Sequence, residues 1–157
     1  VADLYSFERV TLEAIVDRSL QEFAPTLTAE RFEVHVDLPE ELPAVRADPT
    51  ALNLMLNNLL DNAIRYSRER RHLTIAARRS GETVVLSVAD QGVGIPASEI
   101  GSVTRKFFRG RQAVAGGSGL GLAIVDRIVT DHAGALEIKS IAGSGTTVSV
   151  TLPILPP

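Results

Sequence analysis

Apolar residues recur every three or four positions along residues 48–67, which is the pattern of an amphipathic helix. Its apolar stripe consists of Leu52, Leu56, Leu59, Leu60, Ala63 and Ile64. Asp48 is a good N-cap, and Pro49 suits the first helical turn because its missing N–H breaks no intrahelical hydrogen bond there. This stretch therefore predicts a helix with a well-marked start and one face turned to the core.

The helical pattern returns at two other places. Thr11 can cap a helix whose apolar stripe spans residues 12–23, and Pro25 is expected to end or kink that helix. Residues 119–134 predict a third helix, which ends at residues 132–134 in the manner of a C-cap. The chain thus has about three helices long enough to cover one face of a sheet.

Alternation of apolar and polar residues predicts strands in the rest of the chain. They are expected at residues 32–38, 71–79, 82–90, 135–141 and 146–153. The first is expected to be buried on one face, the second and third to form an antiparallel hairpin, and the last two to form another. Residues 7–12 favour an edge strand, and residues 42–48 favour a short extended piece. These elements predict an α/β (α+β) two-layer sandwich, whose mixed, mostly antiparallel sheet of about five strands carries about three helices on one face.

The composition excludes several classes of protein. The chain has 157 residues and is 45% hydrophobic, which is enough for one packed core. Its net charge of −3 and scattered arginines provide no basic surface for nucleic acid, and the absence of cysteine excludes disulfides and zinc–thiolate sites. No apolar run approaches the roughly 20 residues needed to cross a bilayer. We therefore expect no direct membrane contact by this segment.

One face of the helix predicted over residues 48–67 carries unusual polar residues. Asn58, Asn62 and Arg65 share the side opposite the apolar stripe. Two carboxamides beside one fixed cation offer neutral oxygens and a positive charge, a combination that suits a magnesium phosphate. Ordinary solvent-facing residues would give the same pattern, so this helix alone does not separate the two interpretations.

Glycine-rich stretches next to the predicted elements favour a nucleotide site. Residues 90–96 form a loop after a strand, where glycines let the backbone approach a ligand closely, although a plain turn is the alternative. Residues 110–119 hold four glycines and are expected to form an exposed lid. Residues 116–121 precede a helix, whose free N–H groups and positive dipole end bind phosphate. Because a P-loop and a Rossmann fingerprint are both missing, another kind of ATP site is predicted.

Five motifs, in order, resemble those of the catalytic and ATP-binding domain of bacterial sensor histidine kinases, a GHKL-superfamily domain with the Bergerat fold. They are NLLDNAIRYS (N box), DQGVGIP (first glycine box), KFFRG (phenylalanine box), GGSGLGLAIV (second glycine box) and GSGTTVSVTLP (closing glycine–threonine motif). The motifs have matching elements between them, and the resemblance covers about residues 11–153. Five motifs in the same order therefore make the resemblance more specific than any single motif would.

The resemblance implies a site for ATP and Mg²⁺. Asn62 would ligate the metal, while Asn58 and Arg65 would meet the phosphates or the water shell of the metal. Asp90 would accept a hydrogen bond from the adenine amine, and Arg109 would join Asn58 as a catalytic residue by reaching the γ-phosphate. The other ATP contacts would be Tyr66, Gly92, Gly94, Ile95, Gly117, Gly119, Leu120, Gly121, Leu122 and Thr146.

The resemblance also implies a function. The domain would donate the γ-phosphoryl group of ATP to a histidine on a separate dimerisation segment of the same protein, and a response regulator would act downstream. His35, His72 and His132 lack the surroundings of that acceptor. Residues 1–10 would be a linker or tail of the dimerisation segment, and residues 11–157 the ATP-binding kinase domain. A cytoplasmic location is expected, with an inner-membrane anchor left open for the full-length protein. Without its acceptor, the domain is expected to be inactive as a kinase.

Other functions stay open at this point. A GHKL-type ATP-hydrolysing switch would need a glutamate at the start of the N box, where this chain has Asn58, and a carboxamide cannot act as a general base. The further alternatives are a non-catalytic nucleotide-binding regulatory module and an anti-sigma-type serine kinase. The N box and phenylalanine box favour the sensor kinases.

Overall fold

The computed structural model describes residues 4–94 and 120–156, which form three helices and seven strands. In chain order these are β1 (Glu8–Val10), α1 (Leu12–Ala29), β2 (Glu33–Asp37), β3 (Val45–Ala47), α2 (Pro49–Tyr66), β4 (His72–Ser80), β5 (Thr83–Asp90), α3 (Leu120–Asp131), β6 (Ala135–Ile141) and β7 (Gly145–Pro153). Within the described ranges, no helix is long and apolar enough to cross a membrane.

Five of the strands form one sheet, in the order β2-β4-β5-β7-β6, and β1 forms a separate antiparallel pair with β3. In the large sheet, β2 runs parallel to β4, whereas the other neighbours are antiparallel. The hairpins β4–β5 and β6–β7 are both formed as expected. The prediction of a mixed, mostly antiparallel sheet is therefore confirmed, with β5 at its centre.

The core lies between one face of this sheet and the three helices. Alternate residues of β4, β5 and β7 are buried there, and each helix adds an apolar stripe. The bulkiest side chains with almost no exposure include Leu12, Leu52, Met55, Leu56, Leu60, Leu73, Ile75, Leu86 and Leu152. Because burying one such side chain contributes about 1.5–3 kcal/mol, this layer stabilises the sandwich and positions α2 over β5.

Pro25 does not end α1, which rules out one of the two outcomes expected from the sequence, an end or a kink. The helix begins at the Thr11 cap, whose Oγ1 accepts a hydrogen bond from the Ala14 amide at 3.4 Å, and continues to Ala29. The missing N–H of Pro25 removes one hydrogen bond, but Leu27 in the last turn is buried and the Glu30 amide still donates to the Thr26 carbonyl at 2.9 Å. Burial of the last turn outweighs the lost bond.

Strand β2 is less buried than the alternating pattern indicates. Val34 is half-buried, whereas Val36 is 42% exposed. The reason is topological, because among the described strands β2 lies at the edge of the large sheet and pairs with β4 alone. His35 is exposed, as expected.

The segment before α1 packs onto the domain. The Tyr5 hydroxyl donates to Asp131 Oδ2 at 2.6 Å, the Ser6 amide donates to Asp48 Oδ2 at 2.8 Å, and β1 pairs with β3. These contacts fasten residues 4–10 to the ends of α2 and α3. The assignment of residues 1–10 to a linker stays a prediction.

His132 joins two helices. Its buried ring follows α3, and its Nε2 accepts a hydrogen bond from the backbone N–H of Asp48, the N-cap of α2, at 3.2 Å. Since Nε2 accepts, Nδ1 carries the proton and donates to the Ile128 carbonyl at 2.8 Å. A residue expected only at a helix end therefore also holds the start of another helix.

Candidate functional site

Asp90 ends β5 and lies at the centre of the candidate site. Its Oδ1 accepts two backbone hydrogen bonds, from Gly92 at 2.8 Å and from Thr146 at 3.2 Å. Burial raises the pKa of this carboxyl group and outweighs the two hydrogen bonds, which act to lower it. Among the described residues no donor contacts Oδ2, so only one of the two carboxylate oxygens is hydrogen-bonded within this part of the fold.

A small cavity lies between α2 and the sheet at this position. It measures about 30 Å³ and is lined by Leu59, Asn62, Ala63, Tyr66, Val88, Asp90, Leu122, Thr146 and Val148. Five of these were predicted as site residues from the sequence, and they come from α2, β5, α3 and β7. The fold thus brings together predicted site residues that are up to 84 positions apart in the chain, from Asn62 to Thr146.

The loop after Asp90 needs glycine for a reason that the sequence does not reveal. A Cβ atom on Gly92 would collide with the carbonyl oxygen of Tyr66, and one on Gly94, whose φ is +73°, would collide with that of Ile141. The Val93 amide donates to the same Tyr66 carbonyl at 3.1 Å. Glycine at both positions therefore allows the loop to pack closely against the carbonyl groups of Tyr66 and Ile141, and this packing sets the position of Asp90.

The polar face of α2 contains the three residues expected there. Asn62 is half-buried and lines the cavity, and Asn58 is half-buried one turn earlier. The Asn58 amide nitrogen donates to the Leu54 carbonyl at 2.7 Å, which leaves its oxygen for a cation or a donor. Arg65 is exposed and pairs with Asp61 at 2.8 Å, a contact that the sequence analysis missed although Asp61 stands four residues earlier on the helix.

Thr146 is held in place by another residue that the sequence analysis did not identify. The Ser140 hydroxyl lies 2.7 Å from Thr146 Oγ1 and donates to the Gly145 carbonyl at 3.0 Å. A Cβ atom on Gly145, whose φ is +129°, would collide with the Asp90 carbonyl. The β6–β7 turn and the Asp90 loop therefore pack directly against each other.

The remaining predicted residues lie near or outside the described ranges. Leu120 and Gly121 begin α3, and Leu122 is buried in the cavity wall. Ile95, Arg109, Gly117 and Gly119, together with the predicted lid, lie outside the described residues.

Within the described part of the chain, the carboxamides of α2 are the groups that would suit a metal ion at this site. Among residues 4–94 and 120–156, no group of three or more His, Cys, Asp or Glu side chains could hold a metal ion. Asn58 and Asn62 present neutral oxygens on one helix face, and Mg²⁺ accepts such hard ligands while keeping several of its waters. The residues present fit a magnesium ion shared with phosphates, and they do not form a site for a metal held by protein alone.

Residues 47–156 match the family described as histidine kinase-, DNA gyrase B- and HSP90-like ATPases. The chain belongs to this family. The match includes α2, the Asp90 loop, α3 and Thr146, and therefore every described residue of the candidate site. As a member, this chain is an ATP-binding domain.

Curated relatives include a sensor protein and a sensor-like histidine kinase. The alginate biosynthesis sensor protein KinB of Pseudomonas aeruginosa is 34% identical over 141 residues, which is 89% of this chain and 23% of that protein. The sensor-like histidine kinase SenX3 of Mycobacterium tuberculosis is 36% identical over 149 residues, covering 93% of this chain and 36% of that protein. The chain thus spans about a quarter to about a third of the length of these relatives.

Solved structures agree with the fold. The mycobacterial sensor histidine kinase MprB has a TM-score of 0.82 at 30% identity, covering 96% of this chain and 100% of the solved one. The catalytic domain of histidine kinase ThkA has a TM-score of 0.84 at 24% identity, covering 95% of this chain and 96% of the other. The two-layer sandwich described above is the fold of histidine kinase catalytic domains.

Proposed function

We propose that this domain binds ATP together with Mg²⁺ and donates the γ-phosphoryl group to a histidine on a dimerisation segment of the same protein. The observation that carries the proposal is that the two oxygens of the Asp90 carboxylate have different environments. Its Oδ1 is occupied by two backbone N–H groups, while Oδ2 faces no donor among the described residues. A buried acceptor of this kind favours a ligand that supplies an N–H group.

Adenine has the matching chemistry. Its exocyclic amine donates, whereas guanine presents a carbonyl oxygen at the equivalent position and would face the carboxylate oxygen-to-oxygen. Val88, Leu122 and Val148, which line the same cavity, are apolar and would suit the faces of a planar base. At about 30 Å³ the cavity is the size of one water molecule, so its walls would have to move apart to admit the base. Asp90 therefore selects ATP over GTP.

The phosphates would extend from this cavity along α2. Asn62 contributes its carboxamide oxygen to Mg²⁺, and Asn58 and Arg65 meet the phosphates or the metal's waters. When bound, the ion neutralises phosphate charge. The start of α3, at Leu120 and Gly121, adds free backbone N–H groups at a positive dipole end. Ile95, Arg109, Gly117 and Gly119 complete the proposed contacts, as the resemblance implies.

The proposed reaction is transfer and not hydrolysis. The bond between the γ-phosphorus and the β–γ bridging oxygen breaks, a bond to an imidazole nitrogen of the acceptor forms, and ADP leaves. Such a step relies on positioning and charge neutralisation. Asn58 offers no general base for water, because its carboxamide does not accept a proton at neutral pH. A response regulator is the proposed recipient of the phosphoryl group after the histidine.

Incubation of this domain with radiolabelled ATP and the dimerisation segment of its full-length protein tests the proposal. The expected product is acid-labile, base-stable phosphate on that segment, and the Asp90→Asn variant should form much less of it. Label that survives acid would indicate a serine kinase. Tight ATP binding without any label on the segment would indicate a regulatory module and contradict the proposal.

A further inference from the structure

The loop that carries Asp90 is braced by the turn between β6 and β7. The Gly143 amide donates to the Val93 carbonyl at 2.6 Å, while the Val93 amide donates to the Tyr66 carbonyl at 3.1 Å. Val93 is therefore tied on one side to the end of α2 and on the other to the turn. A displacement of Gly143 would release one of the two ties that position the loop after Asp90.

Arg70 holds that turn from the opposite side. Its Nη2 donates to the Gly143 carbonyl at 2.8 Å, across 73 positions of the chain. Arg70 lies in the connection between α2 and β4, and among the described residues its guanidinium contacts no carboxylate. Gly143 has a φ of +84°, so few residues other than glycine could present a carbonyl and an amide in these two directions.

The neighbouring arginines do not share this role. Arg71 extends towards α1, where it donates to the Glu30 carbonyl at 2.9 Å and its guanidinium lies over the Phe32 ring. Arg68 lines the same open crevice as Arg70 and Gly143 and makes no side-chain hydrogen bond to the described residues. Arg70 thus differs from Arg68 and Arg71 in the contacts that its side chain makes, although all three carry the same charge.

We propose that Arg70 is a positioning residue for adenine binding, which it supports through Gly143 and Val93 by holding the Asp90 loop in its binding position. This inference rests on the proposed function, in which Asp90 accepts the adenine amine. In this proposal Arg70 acts through Gly143 and makes no contact of its own with the nucleotide. Since it acts on the base end of the site, its removal should weaken every ligand that contains adenine by a similar factor and leave binding of the phosphate part unchanged.

Calorimetry with Arg70→Ala, Arg70→Lys and Arg79→Ala tests the proposal, using ATP, adenosine and magnesium tripolyphosphate as ligands. Arg79 is a matched control because its Nε donates to the Gly81 carbonyl at 3.0 Å in the β4–β5 turn, which is the same type of contact away from the site. Arg70→Ala should weaken ATP and adenosine alike, by about three- to tenfold for one exposed hydrogen bond. Arg70→Lys, which keeps a cationic donor, should recover part of this affinity, and Arg79→Ala should match the parent.

Amide exchange provides the second measurement. In ligand-free Arg70→Ala, exchange at Gly143 and Val93 should accelerate, while the exchange of amides in β4 and β5 stays unchanged. Parental adenosine affinity in Arg70→Ala, an equal loss in Arg79→Ala, or an equal loss for tripolyphosphate would each overturn the proposal. Asp90→Asn separates failure of the Arg70 proposal from failure of the adenine site. If Asp90→Asn lowers adenosine affinity and Arg70→Ala does not, only the role of Arg70 fails. If neither variant changes adenosine affinity, the adenine site itself is refuted.

Discussion

Asp90 combines a role in the fold with a proposed role in ligand binding. Its Oδ1 joins the Gly92 and Thr146 amides, and this contact connects β5 to the start of β7. Burial raises the pKa of the group, and we propose that the same burial makes the second oxygen selective for a donor. A carboxylate buried in this way is stabilised only when a ligand donates a hydrogen bond to it. Its removal should therefore weaken ligand binding and increase the stability of the ligand-free domain.

Asp90→Asn is therefore expected to weaken ATP binding by about 1–3 kcal/mol. The Asn oxygen can keep the two backbone hydrogen bonds, which turns its NH₂ group towards the adenine amine, donor against donor. Calorimetry measures the loss, and Asp126→Asn on the exposed side of α3 provides the comparison. Unchanged affinity in a folded Asp90→Asn domain would show that the carboxylate does not recognise adenine.

The same substitution has a pH signature in the ligand-free domain. Because the folded pKa of Asp90 lies above its ordinary value of 3.8, stability from this group is fully present below that value and is lost as the pH rises through the folded pKa. Asp90→Asn removes this loss. Denaturant unfolding at pH 4 and pH 7 should show that the stability of the variant relative to the parent increases with pH.

Asn62→Ala should remove most of the magnesium dependence of ATP binding and leave adenosine binding nearly unchanged, because adenosine has no phosphates to bridge to the ion. Titrations of ATP with and without Mg²⁺ measure this difference. Asn57→Ala is the control on the same helix, since Asn57 faces α1 and donates to Glu22 at 2.7 Å. If Asn62→Ala binds MgATP as tightly as the parent, another residue ligates the metal.

At the scale of elements, α3 ends in a turn that departs from the expected use of glycine. The Gly134 amide donates to the Val129 carbonyl at 2.9 Å and the Ala133 amide to the Thr130 carbonyl at 3.0 Å, which is the Schellman pattern. Ala133, and not Gly134, has the left-handed conformation, with φ +58°. Gly134 is needed instead because a Cβ atom there would collide with the Thr151 carbonyl.

Ala133→Gly should therefore raise the free energy of unfolding by about 0.5–1 kcal/mol. Relief of the left-handed strain is worth about 1–2 kcal/mol, and the greater freedom of glycine in the unfolded chain offsets part of it. Denaturant unfolding measures the gain. The opposite sign is expected for Ala14→Gly within α1, where Ala14 is exposed and helical. A loss of stability in Ala133→Gly would show that the strain is already relieved in solution.

At the scale of the whole molecule, the sandwich places a polar helix face, a strand end and a helix start around one cavity. Asn62, Asp90 and Leu122 contribute to it from α2, β5 and α3. None of these elements alone could bind a nucleotide, since each supplies only one kind of contact. In the proposed function this arrangement would position ATP, and Asn58, at the start of the N box, would supply no base for water. This difference would separate a kinase domain from an ATP-hydrolysing switch.

The isolated domain is consequently expected to bind ATP and hydrolyse it negligibly. Replacing Asn58 by Glu supplies the missing base and is expected to raise hydrolysis if the carboxylate reaches the attacking water. Release of inorganic phosphate measures both variants. Sustained turnover by the unmodified domain, on the order of 1 s⁻¹ or faster, would favour the hydrolysing switch over the proposed kinase.

The order of helices and strands, the cap at Asp48 and five of the residues around the cavity could be predicted from the amino-acid sequence. Caps and periodic stripes depend on neighbours a few positions away, so they are visible in the chain without any structure. The motifs in their order then pointed to Asn62, Asp90 and Thr146, and the structure brings all three to one cavity. The roles assigned to them in binding stay predictions.

Tertiary structure alone decided the features that depend on distant partners. It keeps Pro25 inside α1 and leaves Val36 exposed at a sheet edge. The hydrogen bond from Asp48 to His132 spans 84 positions and that from Arg70 to Gly143 spans 73. No local pattern encodes such contacts, because the backbone groups that accept or donate them are available at every residue and only the packing of the layers selects which of them meet.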